Sequence, residues 1–144
     1  MKLSAIIITK DAEEQIADCI DSVSFCDEII VIDNKSVDRT EDLARHLGAK
    51  VVTYPSDSFA ELRNFGLKKA KGDWILYIDA DERVDTELKE NIQKVTEDKK
   101  QEFSAYRIKR MEEEGIIRGY YSLINFYISG YELYRLYLNL QNIS

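Results

Sequence analysis

Asp79-Ala80-Asp81 sets two carboxylates one residue apart at the end of the apolar run Trp74–Asp79 (WILYID). Both can lean toward one hard cation, and an octahedral Mg²⁺ or Mn²⁺ takes one or two carboxylates with phosphate oxygens completing its shell. Bare carboxylates repel a diphosphate. An interposed divalent ion reverses the local sign and stabilises the charge that develops on a diphosphate leaving group. The plainer alternative puts Asp81 in the loop before a helix and Asp79 at a sheet edge. Thr9-Lys10-Asp11 and Asp33-Asn34-Lys35-Ser36 also follow apolar runs, and Arg63-Asn64 lies on a helical stretch ahead of the Asp79 run. Ser36 and Asp38 suit either a helix cap or a ribose or base contact. Arg63 suits either a surface ion pair or a phosphate-binding fork.

Such groups act together only if a scaffold gathers them on one side, and the chain up to about Thr96 has the pattern of one. Leu3–Thr9 (LSAIIIT), Glu28–Asp33 (EIIVID), Lys50–Tyr54 and Trp74–Asp79 read as strands, the first a compact β-branched run. The stretches between them read as helices. Asp11 opens one as N-cap with Glu14 three places on, and Ile16, Cys19, Ile20 and Val23 turn inward. A second runs from about Asp38 to Leu47 and ends at Gly48. A third spans Phe59–Ala70 with Leu62, Phe65, Leu67 and Ala70 inward, and Asp85 caps a fourth to about Thr96. This βαβαβαβα order predicts a parallel sheet covered on both faces. Ligands of such sheets bind beyond the carboxyl ends of the strands, where Thr9, Asp11, Asp33, Ser36, Asp79 and Asp81 fall.

Past that point the pattern is looser. Phe103–Lys109 alternates as a fifth strand, and Glu112-Glu113-Glu114 reads as a solvated loop. Tyr120–Leu140 carries six of the nine tyrosines. It reads as a helix or strand pair packing on the sheet, or as an amphipathic segment touching a membrane surface or a partner.

Composition removes several function classes. The 144 residues carry a formal charge of −7, which argues against a sequence-independent grip on nucleic acid. Cys19 and Cys26 are too few for a disulfide framework, and with one histidine they make no zinc site. Reduced thiols, no signal peptide and no apolar run near the ~20 residues of a membrane helix predict a soluble, cytoplasmic protein.

From Ser4 to about Leu88 the chain resembles the nucleotide-binding half of a family 2 glycosyltransferase of the GT-A fold, an α/β, Rossmann-like, mostly parallel sheet flanked by helices on both faces. The resemblance is carried by Ala5–Thr9 with Lys10-Asp11, Asp27–Asp33, Ser36-Val37-Asp38-Arg39-Thr40, Arg63-Asn64-Phe65-Gly66, and Gly72-Asp73-Trp74 leading to Asp79-Ala80-Asp81-Glu82-Arg83. The last stretch is similar to bacterial transferases that add sugars to lipopolysaccharide cores. The resemblance implies an inverting, metal-dependent transfer from a nucleotide-diphosphate sugar, with UDP the commonest donor type, to an envelope saccharide or lipid-linked acceptor. It implies that Thr9, Asp11, Asp33 and Ser36 line the base and ribose pocket and that Arg63 approaches the diphosphate or sugar. Asp79 would then hold the ribose or sugar side and Asp81 the Mg²⁺ or Mn²⁺.

The family commonly has Asn-Glu where this chain has Asp11-Ala12, and glycine where it has Lys35. Residues 1–110 are expected to form a nucleotide-sugar-binding domain. Residues 111–144 are expected to form a partial acceptor-side or C-terminal packing segment of the same globular unit. Relatives continue well past this length with a region carrying the catalytic base, often a His-Glu pair. His46 lies mid-helix before Leu47, and nothing selects among Glu112, Glu113, Glu114 and Glu132, so the base is unassigned. A truncated, non-catalytic binding or assembly module is therefore the alternative. Peripheral contact with the inner face of the membrane and self-association are further expectations. A phospho-accepting receiver domain fits poorly, because it needs an acidic pair right after the first strand.

Overall fold

The computed structural model describes residues 2–98, and beyond them the backbone of 105–109, 112–113, 116–117 and 120–125. Four strands, β1 (Leu3–Thr9), β2 (Glu28–Asp33), β3 (Lys50–Thr53) and β4 (Trp74–Asp79), alternate with the helices α1 (Ile16–Ser22), α2 (Thr40–His46), α3 (Phe59–Lys69) and α4 (Thr86–Glu97). The later strands are β5 (Ala105–Lys109), β6 (Glu112–Glu113), β7 (Ile116–Ile117) and β8 (Tyr120–Asn125). The main sheet runs β3-β2-β1-β4-β8-β5. Its first four strands are mutually parallel, and β8 lies antiparallel to both β4 and β5. This is the α/β, mostly parallel architecture expected from the sequence.

Alternation along β1 divides the core. Ala5 and Ile7 pack with Ile16, Cys19, Ile20, Ala44 and Ile92 from α1, α2 and α4. Ile6 and Ile8 pack with Ile30, Ile32 and Leu62, under α3. A β-branched strand buried along its whole length needs a helix layer on each face. Gly66 lets α3 lie close, since a Cβ there would stand 2.6 Å from Ile6 Cγ2. Among the described residues no helix is long and apolar enough to cross a membrane.

Two local expectations need correction. The first helix begins at Ile16, with Gln15 at its N-cap, and Asp11 does not open it. Asp11 instead takes φ +48°, and its carboxylate accepts from the Val37 backbone N–H at 2.7 Å, a partner 26 residues away. Glu112 and Glu113 form β6, paired antiparallel with β7, where a loop was expected. The second helix begins at Thr40 with Arg39 at its N-cap, and Asp38 Oδ1 accepts from the Thr40 N–H at 3.0 Å. The cap on α4 is as expected, Asp85 accepting from the Leu88 N–H at 2.7 Å. Phe103, Glu114 and the tyrosine-rich stretch beyond Asn125 lie outside the described residues.

Candidate functional site

Register decides what the sheet presents at its carboxyl edge. Thr9 pairs with Asp33 on one side of β1, and Ile8 pairs with Asp79 on the other. Asp33 and Asp79 thus end strands two places apart, about 10 Å at ordinary strand spacing. Beyond this edge lies a cleft of about 370 Å³, lined by Ile8, Thr9 and Lys10 of β1 and its loop, Ala12 and Gln15 ahead of α1, Asn34, Phe59 and Leu62, and Asp79-Ala80-Asp81. That volume is in the range of small-molecule sites.

Of the residues singled out from the sequence, Thr9, Asp79 and Asp81 line the cleft directly. Arg63 reaches it through Asp79, its Nη2 standing 3.8 Å from Asp79 Oδ1. Its guanidinium offsets part of the negative charge gathered at this edge. Asp11, Asp33 and Ser36 build the neighbouring loop. Fully buried Asp33 accepts from the Ser36 N–H at 2.8 Å and the Ser36 hydroxyl at 2.6 Å. The Ser36 hydroxyl accepts in turn from the Asp11 N–H at 2.8 Å. Further bonds join the two loops, from the Ala12 N–H to Thr40 Oγ1 at 2.7 Å and from the Glu13 N–H to Asp38 Oδ2 at 3.0 Å. Burial acts to raise the Asp38 carboxyl pKa, but hydrogen bonds from Thr40 and Glu13 outweigh it and hold the group below its ordinary value. These contacts hold Asp11 and Lys35 at φ +48° and +58°, a region costly for residues with a side chain. Lys35 thus stands at a backbone angle that favours glycine.

The acidic turn contains a residue the sequence analysis did not assign. Glu82, 9% exposed, accepts from the Asp79 N–H through Oε2 at 2.8 Å, and the Glu82 N–H donates to the Asp79 carbonyl at 3.0 Å. Oxygens of Asp79, Asp81 and Glu82 lie within 4.8 Å of one another, a hard-oxygen set of the kind Mg²⁺ and Mn²⁺ prefer. Thr9 is 3% exposed, and its Oγ1 makes no hydrogen bond among the described residues. A buried hydroxyl in that condition costs about 1–3 kcal/mol, which a polar ligand atom would offset. Phe59 is the second addition. It is 64% exposed on the first turn of α3, and the loop behind it is pinned by Asn34, whose Nδ2 donates to the Ser56 carbonyl at 2.9 Å. An exposed aromatic beside carboxylates offers a flat apolar face to a ring.

The model of the family described as glycosyl transferase family 2 matches residues 4–142. A Rickettsia typhi protein named an uncharacterized glycosyltransferase is 41% identical over 110 residues, which is 75% of this chain and 38% of that protein. The lipopolysaccharide core biosynthesis glycosyltransferase LpsC of Rhizobium meliloti is 34% identical over 95 residues, covering 62% of this chain and 35% of its own length. Among solved structures, Staphylococcus aureus TarS 1-349 superposes with a TM-score of 0.64 at 27% identity, over 81% of this chain and 37% of that one. Glucosyl-3-phosphoglycerate synthase from Mycobacterium tuberculosis, solved with Mn²⁺, UDP and glucosyl-3-phosphoglycerate, gives 0.51 at 30% identity, over 55% of this chain and 33% of that one. The chain spans 37% to 39% of the length of the rickettsial relatives it matches.

Proposed function

The chain belongs to glycosyl transferase family 2, and from that premise we propose that its edge cleft binds the nucleoside diphosphate of a sugar donor, most simply a UDP-sugar. The observation that carries this reading is the carboxylate group of Asp79, Asp81 and Glu82 beside a 370 Å³ cleft that Thr9 also lines. Asp81, exposed at the turn, holds Mg²⁺ or Mn²⁺ with Asp79 beside it. The ion would neutralise charge on the nucleoside diphosphate, which departs as the leaving group. The Mn²⁺ and UDP present in the mycobacterial synthase structure support that choice of probes.

The chain's own residues then divide the work. Thr9 donates its hydroxyl to the nucleotide, and Phe59 gives the base a stacking face. Arg63 both restrains Asp79 and offers its guanidinium to a phosphate. Asp11, Asp33 and Ser36 act at the base and ribose side through the loop they build. Residues 1–110 and 111–144 form one globular unit, a proposal supported by β8, which comes from the second segment and lies in the main sheet. An inverting attack by an acceptor hydroxyl needs a base to take its proton. The reading takes the acceptor as an envelope saccharide or lipid-linked sugar, supported by the likeness to LpsC.

Calorimetric titration with UDP, with and without Mn²⁺, tests the donor site. Mn²⁺-dependent UDP binding is expected. Absence of binding by any nucleoside diphosphate at millimolar Mn²⁺ overturns the reading, while binding without transfer to any saccharide acceptor selects the non-catalytic module.

A further inference from the structure

Arg83 follows the acidic turn and binds it from behind. Its Nη1 donates to the Ala80 carbonyl at 2.9 Å and to the Glu82 carbonyl at 2.6 Å. Its Nη2 donates to the Gln15 carbonyl at 2.8 Å and lies 4.0 Å from Asp18 Oδ2. Three consequences follow from these partners. First, Ala80 and Glu82 flank Asp81, so one planar group holds the peptide that enters Asp81 and the carbonyl of the residue that follows it. Second, Gln15 is the N-cap of α1 and lines the cleft wall facing Ala80, so the same guanidinium joins both walls. Third, the Gln15 carbonyl also accepts from the Cys19 N–H at 3.1 Å, which ties Arg83 into the first turn of α1. On its other side the turn is closed by Glu82 through the Asp79 N–H. Asp81 is left with little freedom beyond rotation of its own side chain.

We propose that Arg83 is a positioning residue that sets where the Asp81 carboxylate stands and how wide the cleft opens between α1 and the acidic turn. The inference rests on the reading of this cleft as a metal-supported nucleotide site. The chemistry selects arginine specifically. A guanidinium presents several donors in a fixed fork and can serve three carbonyls at once, whereas a lysine ammonium is a compact point charge on a flexible stem. If Arg83 acted only as a positive charge near Asp79 and Asp81, lysine would replace it.

The test compares Arg83→Lys and Arg83→Met with the wild-type chain by amide hydrogen exchange and by UDP titration over a range of Mn²⁺ concentrations. Expected in both variants is faster exchange at the Asp79 and Glu82 amides with unchanged protection along β1 and β4. UDP affinity should fall about tenfold at limiting Mn²⁺, the scale seen when groups orienting metal ligands are removed, and recover at saturating Mn²⁺. Wild-type behaviour of Arg83→Lys overturns the proposal in favour of charge alone. Unchanged exchange and affinity in Arg83→Met overturn it outright. Loss of protection throughout β1–β4 also overturns it, because Arg83 would then hold the fold rather than the site. Failure of the wild-type chain to bind UDP at any Mn²⁺ concentration refutes the proposed function, and the exchange comparison still decides whether Arg83 fixes the turn.

Discussion

Asp79 and Asp81 are separated by one residue and by their surroundings, so substitution should separate stability from binding. Asp79 has a third of its side chain exposed and stands 3.8 Å from Arg63, whose side chain is 16% exposed. At that distance and an effective dielectric near 20, the Coulomb attraction has a ceiling of ~4 kcal/mol. Solvent at Asp79 reduces it, and about 1–2 kcal/mol is expected to be lost in Asp79→Asn, which keeps the shape and removes the charge. Asp81 is exposed, and no hydrogen bond or ion pair engages it among the described residues. Asp81→Asn should therefore change stability by less than about 0.5 kcal/mol. Both substitutions should weaken Mn²⁺-dependent UDP binding at least tenfold, or ~1.4 kcal/mol. Urea unfolding read by tryptophan fluorescence gives the first quantity and calorimetry the second. Placing Asp79→Asn in an Arg63→Met background should shrink its stability cost, because the attraction it removes is then already absent. Equal destabilisation by the two substitutions, or undiminished Mn²⁺ dependence in Asp81→Asn, would refute the reasoning.

Gly66→Ala should lower stability by about 1–2 kcal/mol in urea, since crowding of Ile6 exceeds the gain in helix propensity; a gain in stability would show that α3 can shift outward. Phe59→Ala should raise the UDP dissociation constant by a factor of about 5–100, the range for loss of base stacking, with little change in unfolding midpoint. An unchanged dissociation constant removes Phe59 from the site. Burial pushes the Cys19 thiol up to about 12, from 9.0. The folded state therefore holds that proton longer than the unfolded chain. The Cys19 contribution to stability is intact below about pH 9 and falls by ~1.4 kcal/mol per pH unit between there and about pH 12, and Cys26, pushed up to about 12 by its own burial, adds a parallel decline. Cys19→Ala should flatten that decline in urea titrations at pH 8, 9 and 10, and an unaltered slope would refute the assignment.

The parts of this molecule legible in its sequence are those governed by near neighbours. Short apolar runs mark β1, β2 and β4, Asp85 marks the start of α4, and strand ends mark Thr9, Asp79 and Asp81 as cleft residues. What escaped depends on how turns fold back on themselves and on partners far along the chain. Asp11 sits where a helix cap would, but its carboxylate is taken by Val37, and the helix starts five residues later. Asp33 ends its strand at the right edge, yet Ser36 claims both of its oxygens. Glu82 and Arg83 belong to the stretch that carries the family resemblance, but nothing in the sequence gives either one a role. Their roles depend on a turn that folds back on Asp79 and on a carbonyl 68 residues away. Phe59 reads as the first residue of an amphipathic helix, and only the position of α3 beside the sheet edge puts it on the cleft.

The order of strands has a consequence for how the chain becomes a protein. β8 is the last described strand, yet it lies between β4 and β5. Until Tyr120–Asn125 has left the ribosome, the flank of β4 from Trp74 to Tyr77 offers unpaired amides and carbonyls to any passing strand. Nascent chains that stall before that point carry a sticky open border. A break in translation there should therefore produce aggregates, even though every residue lining the cleft has already been made.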